Sequence, residues 1–201
     1  MKGSTFRLAK RMQGVETSPT VRLNALATEM IRAGKDVINL TAGETDFETP
    51  EVIKQAAISA IAAGKTRYTA PHGIPELRKA IADWFEREFG LKYESKQVTV
   101  SSGVKQGLFH LMLATVGEGD EVIIPSPYWV SYPEMVRISG GDPVVLPSDG
   151  RFRLDIDLIR SKLNDRTRLI ILNSPNNPSG GMYSRDELEQ LARVLEGLRL
   201  W

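Results

Sequence analysis

The 201-residue sequence contains no cysteine and only two histidines. Without cysteine there is no disulfide, no thiolate nucleophile and no cysteine-based zinc site. His72 and His110 lie too far apart in the chain to form a His-x-x-x-His metal pair. Neither sign of charge dominates: 26 Lys and Arg face 25 Asp and Glu, for a net charge of +1. That balance leaves no electrostatic footprint for nucleic acid or an anionic membrane. Long apolar runs are also missing. The longest aliphatic stretches, Val122–Ile124 and Leu169–Leu172, are far too short to span a bilayer. Lys2, Arg7, Lys10 and Arg11 are followed by no apolar signal region, so a cytoplasmic location is expected. On that reading the sequon Asn39-Leu40-Thr41 is chance, and Pro178 excludes Asn177-Pro178-Ser179. Neither G-x-G-x-x-G nor G-x-x-x-x-G-K-[ST] occurs, which counts against a nucleotide-binding enzyme.

What is present is ordinary globular material, with 41% hydrophobic and 25% charged residues. The length suits one large domain or one domain with a small appendage. Apolar spacing predicts a helix from about Thr20 to Arg32, stopped by Gly34, and then a strand at Val37–Leu40. Thr49 as N-cap, Pro50 at the first helical position and Gly64 at the end frame a second helix. A third opens at Pro75, carries Leu77, Ile81, Trp84 and Phe85 on one face, and stops near Gly90.

Beyond Gln97 the pattern becomes regular. Strands are predicted at Val98–Val100, Glu121–Ile124, Pro143–Leu146 and Arg168–Leu172. Helices are predicted between them, at Val104–Thr115, Trp129–Ser139 and Ile156–Leu163. Alternation of this kind implies an α/β protein with a mainly parallel sheet and flanking helices. Ser184 and Glu187 predict a capping box on a last helix, and another strand is expected where the chain reaches Leu198–Trp201.

Three stretches offer chemistry, and each has a plain structural alternative. Ser101–Gln106 follows a predicted strand and opens a helix, gathering backbone N–H groups, hydroxyls and one ammonium where a phosphate is stabilised. A plain serine-capped helix is the alternative. Pro127–Pro133 lies after a strand, where open parallel sheets place ligands. Trp129 there suits either stacking on a planar cofactor or simple core packing. Asn173–Gly181 sets amide donors in a frame of prolines and glycines, as a binding loop or a structured turn. Thr41–Phe47 and Arg67–Gly73 read singly as surface connections, and His72 as a loop residue.

Taken in order, these stretches resemble the class I pyridoxal-phosphate aminotransferases, in their aspartate aminotransferase-like branch. The matching residues are Thr41–Phe47, Tyr68 with Gly73-Ile74-Pro75-Glu76-Leu77-Arg78, Ser102–Gln106, Ser126–Pro133 and Asn173–Gly180. The resemblance runs from about Ser18 to Leu195, and it implies roles residue by residue. Gly103 and Val104 would hold the phosphate of pyridoxal 5'-phosphate, with Lys105 beside them. Trp129 would stack on the pyridine ring, and Asn177 would hydrogen-bond its phenolic oxygen. Gly43 would approach the substrate carboxylate. Tyr68 would reach the neighbouring subunit's cofactor phosphate in a homodimer. Lys105, with Ser18 and Thr20 nearby, would face the distal carboxylate of an acidic substrate.

The resemblance divides the chain into a small-domain and lid segment, 1–48, and part of the cofactor-binding large domain, 49–201. Thr45 replaces the family's usual Pro, and Ser179 its commoner Thr. The family's chemistry also needs a lysine bound to the cofactor, an Asp on the pyridine nitrogen and an Arg for the substrate α-carboxylate. In the family all three fall beyond the position matching Trp201, and no lysine follows Lys162 here. The expectation is therefore transamination by family, between an aspartate-like amino acid and a 2-oxo acid such as 2-oxoglutarate. The 201 residues themselves are expected to be an inactive N-terminal portion with an uncovered sheet edge. The alternative is a non-catalytic cofactor-binding or interaction protein built on half the fold.

Overall fold

A computed structural model describes residues 7–15, 18–41, 43, 45–148, 150 and 152–201. Lys2, and Ala42 and Glu44 of the Thr41–Phe47 stretch, lie outside the described residues. The chain forms two compact units: Met1–Asn39 with Phe109–Trp201, and Leu40–Leu108.

The first unit is built on a parallel sheet. Its strands are β1 (Glu121–Pro125), β2 (Asp142–Leu146) and β3 (Thr167–Ile170), in the order β2-β1-β3. The helices are α1 (Pro19–Arg32), α5 (Ser131–Ser139), α6 (Ile156–Lys162) and α7 (Arg185–Leu195). Helix α4 (Gly103–Thr115) begins in the other unit. The α/β architecture with a parallel sheet is as the alternation implies.

The strand order follows from burial and handedness. Val122, Ile123 and Ile124 are all fully buried, so β1 has covered faces on both sides and takes the centre. The chain leaves β1 toward β2 on one side and then crosses to β3 on the other. Right-handed crossovers in opposite directions put their helices on opposite faces. Accordingly α5 lies against β1 and β2. Ile123, on the other face from Val122 and Ile124, joins Leu146, Leu154, Ile159 of α6 and Leu191 of α7 in one cluster.

The amino ends of the strands are held by charge. The Glu121 carboxylate, buried, accepts from Asn164 Nδ2 at 2.8 Å and pairs with Arg166. Asp120 accepts from Arg168 Nη2 at 2.9 Å and from the Gly117 N–H at 2.9 Å. The Arg168 bond, then the Gly117 bond, holds the Asp120 carboxyl below its ordinary value. Arg168 lies between Thr167 and Leu169, the partners of Glu121 and Val122, where the register of the β1–β3 pair shifts. On the outer edge of β3, the Trp201 N–H donates to Arg168 O at 3.1 Å, and its carbonyl accepts from the Ile170 N–H at 3.2 Å.

Tight packing beside β2 supplies a test. A Cβ on Gly141 would stand 2.4 Å from Val116 Cγ1 and 3.1 Å from Asp120 O. Val116 is itself buried, with little room to move. Gly141→Ala is therefore expected to cost about 1–3 kcal/mol, read as a lower urea midpoint with an unchanged slope.

The second unit holds α2 (Glu51–Ala62), α3 (Pro75–Phe89) and the first residues of α4. Gly90, at φ +68°, ends α3 as expected, and Trp84 packs edge to face with Phe85 and Phe89, as Phe85 does with Tyr93.

Several boundaries differ from expectation. Val37–Leu40 and Val98–Val100 form no strand. Ile38 and Leu40 are exposed, and the Val100 N–H bonds only a loop carbonyl, that of His72, at 3.1 Å. Both have strand composition, but neither joins the sheet among the described residues. Pro50, not Thr49, is the N-cap of α2, and α5 starts at Ser131 rather than Trp129.

Candidate functional site

The connections leaving β1 and β3 run to helices on opposite faces of the sheet. Between the carboxyl ends of these adjacent strands lies a topological switch point, the place where open parallel sheets bind ligands. Two of the expected site residues, Trp129 and Asn177, sit on the two loops there.

The loop after β1 is anchored at its start by the Ser126 N–H, which donates to Leu146 O at 2.9 Å. Trp129 is half-buried and stands edge to face with Tyr132, ring centroids 5.5 Å apart and planes at 88°. The Tyr132 N–H donates to Trp129 O at 3.0 Å, fixing the turn into α5. Burial pushes the Tyr132 phenol above its ordinary value. Tyr183 is raised too, by burial first and then by the charges of Glu187 and Tyr132. A cavity of about 410 Å³ beside this loop is lined by Tyr128, Val130, Glu134 and Arg137, with Ser18 from the N-cap of α1. Thr20 lies in the first turn of that helix.

The loop after β3 is organised by asparagines. Asn173 Oδ1 accepts from the Asn177 N–H at 2.9 Å, and Asn173 Nδ2 donates to Pro175 O at 3.1 Å. Asn176 is 9% exposed, whereas Asn177 is exposed. The Asn176 N–H donates to Gly181 O at 2.8 Å, and its carbonyl accepts from the Gly180 N–H at 2.7 Å. Its side chain crosses between the loops: Nδ2 donates to Pro127 O at 2.8 Å. The loops bearing Trp129 and Asn177 are thereby tied together.

The remaining expected site residues belong to the Leu40–Leu108 unit. Gly103 opens α4 at φ +77°, a backbone conformation that favours glycine, while a Cβ there would meet nothing within 4 Å. Conformation and not crowding requires the glycine. The Ser102 N–H is capped by Gln106 Oε1 at 2.6 Å, and Ser101 Oγ donates to Gly103 O at 2.9 Å. Val104 and Lys105 are exposed on the first turn of α4, whose backbone N–H groups lack intrahelical acceptors by construction. Tyr68 is fully exposed in its loop, and Gly43 is exposed with open space around its Cα. Asn176 and Tyr132 are not among the residues expected from the sequence. The Pro-Asn-Asn-Pro run signals a rigid loop without saying which amide turns inward.

Residues 35–201 match the family model described as aminotransferase class I and II. The chain belongs to this family. Among aminotransferases similar to it, the aspartate/prephenate aminotransferase of Thermus thermophilus is 50% identical over 190 residues, 93% of this chain and 49% of that protein. The aspartate aminotransferase of Rhizobium meliloti is 47% identical over 197 residues, covering 97% of this chain and 48% of the relative. The crystal structure of a Rhizobium meliloti aspartate aminotransferase superposes with a TM-score of 0.91 at 48% identity, over 95% of this chain and 48% of that one. The Thermus thermophilus enzyme with maleate gives 0.89 at 48% identity, over 95% and 50%. The chain spans about half the length of the curated relatives it matches. Among the described residues, no helix is long and apolar enough to cross a membrane.

Proposed function

We propose that this chain carries cofactor- and substrate-binding residues of a pyridoxal-phosphate-dependent aminotransferase, acting between an aspartate-like amino acid and a 2-oxo acid such as 2-oxoglutarate. The observation that carries the reading is the bond from Asn176 to Pro127, which joins the two loops bearing Trp129 and Asn177 at the switch point. Taken one by one, the donors suit the parts of the cofactor. A flat indole, an exposed amide and a glycine-opened helix end match a planar ring, its phenolic oxygen and a dianionic phosphate. When bound, pyridoxal phosphate supplies the electron sink for cleavage at the substrate Cα.

In this reading the chain's own residues bind and orient. Gly103 and Val104 hold the phosphate through backbone N–H groups, helped by the positive end of α4, with Lys105 beside them. Trp129 limits the ring to one plane, and the Asn177 amide donates to the phenolic oxygen. Gly43 lets the backbone approach the substrate carboxylate. Lys105, Ser18 and Thr20 favour a second, distal carboxylate. The working protein is a cytoplasmic homodimer in which Tyr68 serves the neighbouring cofactor phosphate. Residues 1–48 act as the small-domain and lid segment, and residues 49–201 as part of the large domain. In this reading the chain alone binds the cofactor without turnover.

Pyridoxamine phosphate, which needs no lysine bond, is the suitable probe. Titrated into the chain, it is expected to quench tryptophan fluorescence saturably. Trp129→Leu is expected to abolish most of the quench and weaken binding by up to about tenfold, since aromatic stacking contributes about 0.5–1.5 kcal/mol beyond burial. Absence of saturable binding by the unsubstituted chain would overturn the cofactor reading. Turnover of aspartate with 2-oxoglutarate by the chain alone would overturn the claim of binding without chemistry.

A further inference from the structure

We infer that Asn176 is a positioning residue that sets the loop carrying Trp129 from the loop carrying Asn177, so that the two cofactor contacts are placed as one unit. The inference rests on the reading above for its consequence, and on the hydrogen bonding of one side chain for its mechanism. Asn176 is the buried member of the Asn-Asn pair and uses both ends of its amide. Its Oδ1 accepts from Ser179 Oγ at 2.9 Å and from the Ser179 N–H at 3.2 Å, closing its own loop. Its Nδ2 donates across to Pro127 O at 2.8 Å, two residues before Trp129.

The geometry makes this a coupling as well as a cap. The backbone of Asn176 is already held at both its N–H and its carbonyl, so the side chain has a rigid base. Pro127 has a fixed φ, which removes one of the two backbone rotations at the residue that accepts the bond. The neighbouring residue Asn177 is held by Asn173 Oδ1 through its N–H. A bond from Asn176 to Pro127 therefore transmits the position of one contact residue's loop to the other's. Asn177, being exposed, has its own amide available for a ligand rather than for the clamp.

The test separates the two ends of the amide. Asn176→Asp keeps an acceptor for Ser179 but presents an oxygen to Pro127 O, removing the crossing bond. Asn176→Ser is neutral and too short to reach Pro127, and it reports the same loss should the aspartate variant not fold. Ser179→Ala removes two bonds inside the loop after β3, from Ser179 Oγ to Asn176 Oδ1 and from the Gly181 N–H to Ser179 Oγ, and leaves the bond to Pro127 in place. Hydrogen–deuterium exchange of the full chain is read at residues 128–132, together with pyridoxamine phosphate affinity. Asn176→Asp or Asn176→Ser is expected to raise exchange at 128–132 at least tenfold, without loosening β1 or β2, and to weaken the ligand about tenfold. Ser179→Ala is expected to leave exchange at 128–132 unchanged.

Unchanged exchange at 128–132 in both Asn176 variants would overturn the inference. So would a rise spread over the strands, or an equal rise in Ser179→Ala. If the unsubstituted chain binds no pyridoxamine phosphate while the Asn176 variants still loosen 128–132, the clamp stands and the cofactor reading falls.

Discussion

Ile123→Ala is expected to destabilise the chain by about 2–5 kcal/mol, the range for truncating a large aliphatic side chain in a close-packed core. Ile123 is fully buried in the central strand and touches a cluster contributed by β2, α6, α7 and the segment before α6. Part of the cost is the transfer energy of the deleted carbons. The rest is the cavity left behind, which grows with how poorly the surroundings collapse. Collapse is hindered here because β1 is hydrogen-bonded to a parallel neighbour on each side, so its backbone cannot shift toward the void. Ile123→Val should cost only about 0.5–1.5 kcal/mol. Val145→Ala, at a position 41% exposed on β2, should cost less than Ile123→Ala by well over 1 kcal/mol. Urea unfolding with unchanged slope checks the series. Equal losses at Ile123 and Val145 would mean that the cluster is not the core of this unit.

The same residues show which parts of the fold are legible in local sequence. Ile123 lies in the β-branched run that marks β1, and the run's short length with polar flanks identifies a buried parallel strand. Caps are legible for a different reason: they are made by neighbours in the chain. Ser184 and Glu187 form the capping box that their spacing announces, and Gly90 ends α3 in the left-handed conformation. Val37–Leu40 and Val98–Val100 mislead because strand composition reports only a side chain's fitness for a sheet, whereas a strand also needs a partner edge. The order β2-β1-β3 depends on crossover direction and is not written in any local pattern.

For the candidate site, legibility follows the same division. Gly103 stands out because a glycine between a serine pair and a helix signals a special backbone conformation, and its φ of +77° is of that kind. Trp129 and Asn177 stand out as chemistry-bearing side chains on loops. Asn176 cannot be told from Asn177 by type, since the two have the same chemistry and only the packing decides which is buried. Tyr132 is hidden similarly: its aromatic spacing from Trp129 suits core as well as site, and it packs edge-on to Trp129 with its own ring buried. The residues that touch a ligand announce themselves by type, while those that hold them are defined by contacts distant in sequence. The bond between Asn176 and Pro127 spans 49 positions.

Glu187→Ala is expected to destabilise the chain by about 2–4 kcal/mol, combining loss of a helix cap with an unsatisfied buried donor. Its Oε2 accepts from Ser184 Oγ at 2.7 Å and from the Ser184 N–H at 2.8 Å, while Oε1 accepts from the Leu154 N–H at 3.0 Å, 33 positions away. The second contact makes the loss large, because Leu154 belongs to the buried core cluster and its N–H would be left without its acceptor. Burial pushes the Glu187 carboxyl up, but the bonds from Ser184 and Leu154 and the nearby Arg153 charge outweigh it, and the net direction is down from 4.5. A carboxyl lowered on folding contributes stability that is fully present above its unfolded value. That contribution is lost as pH falls through the lowered, folded value. The difference in stability between the unsubstituted chain and Glu187→Gln should therefore be constant near neutrality and shrink below about pH 4.5. Asp120, also lowered, weakens both proteins in acid alike, so the difference isolates Glu187. Urea midpoints measured from pH 7 downward check this, and a difference that grows in acid would mean that the carboxylate is not the form held in the fold.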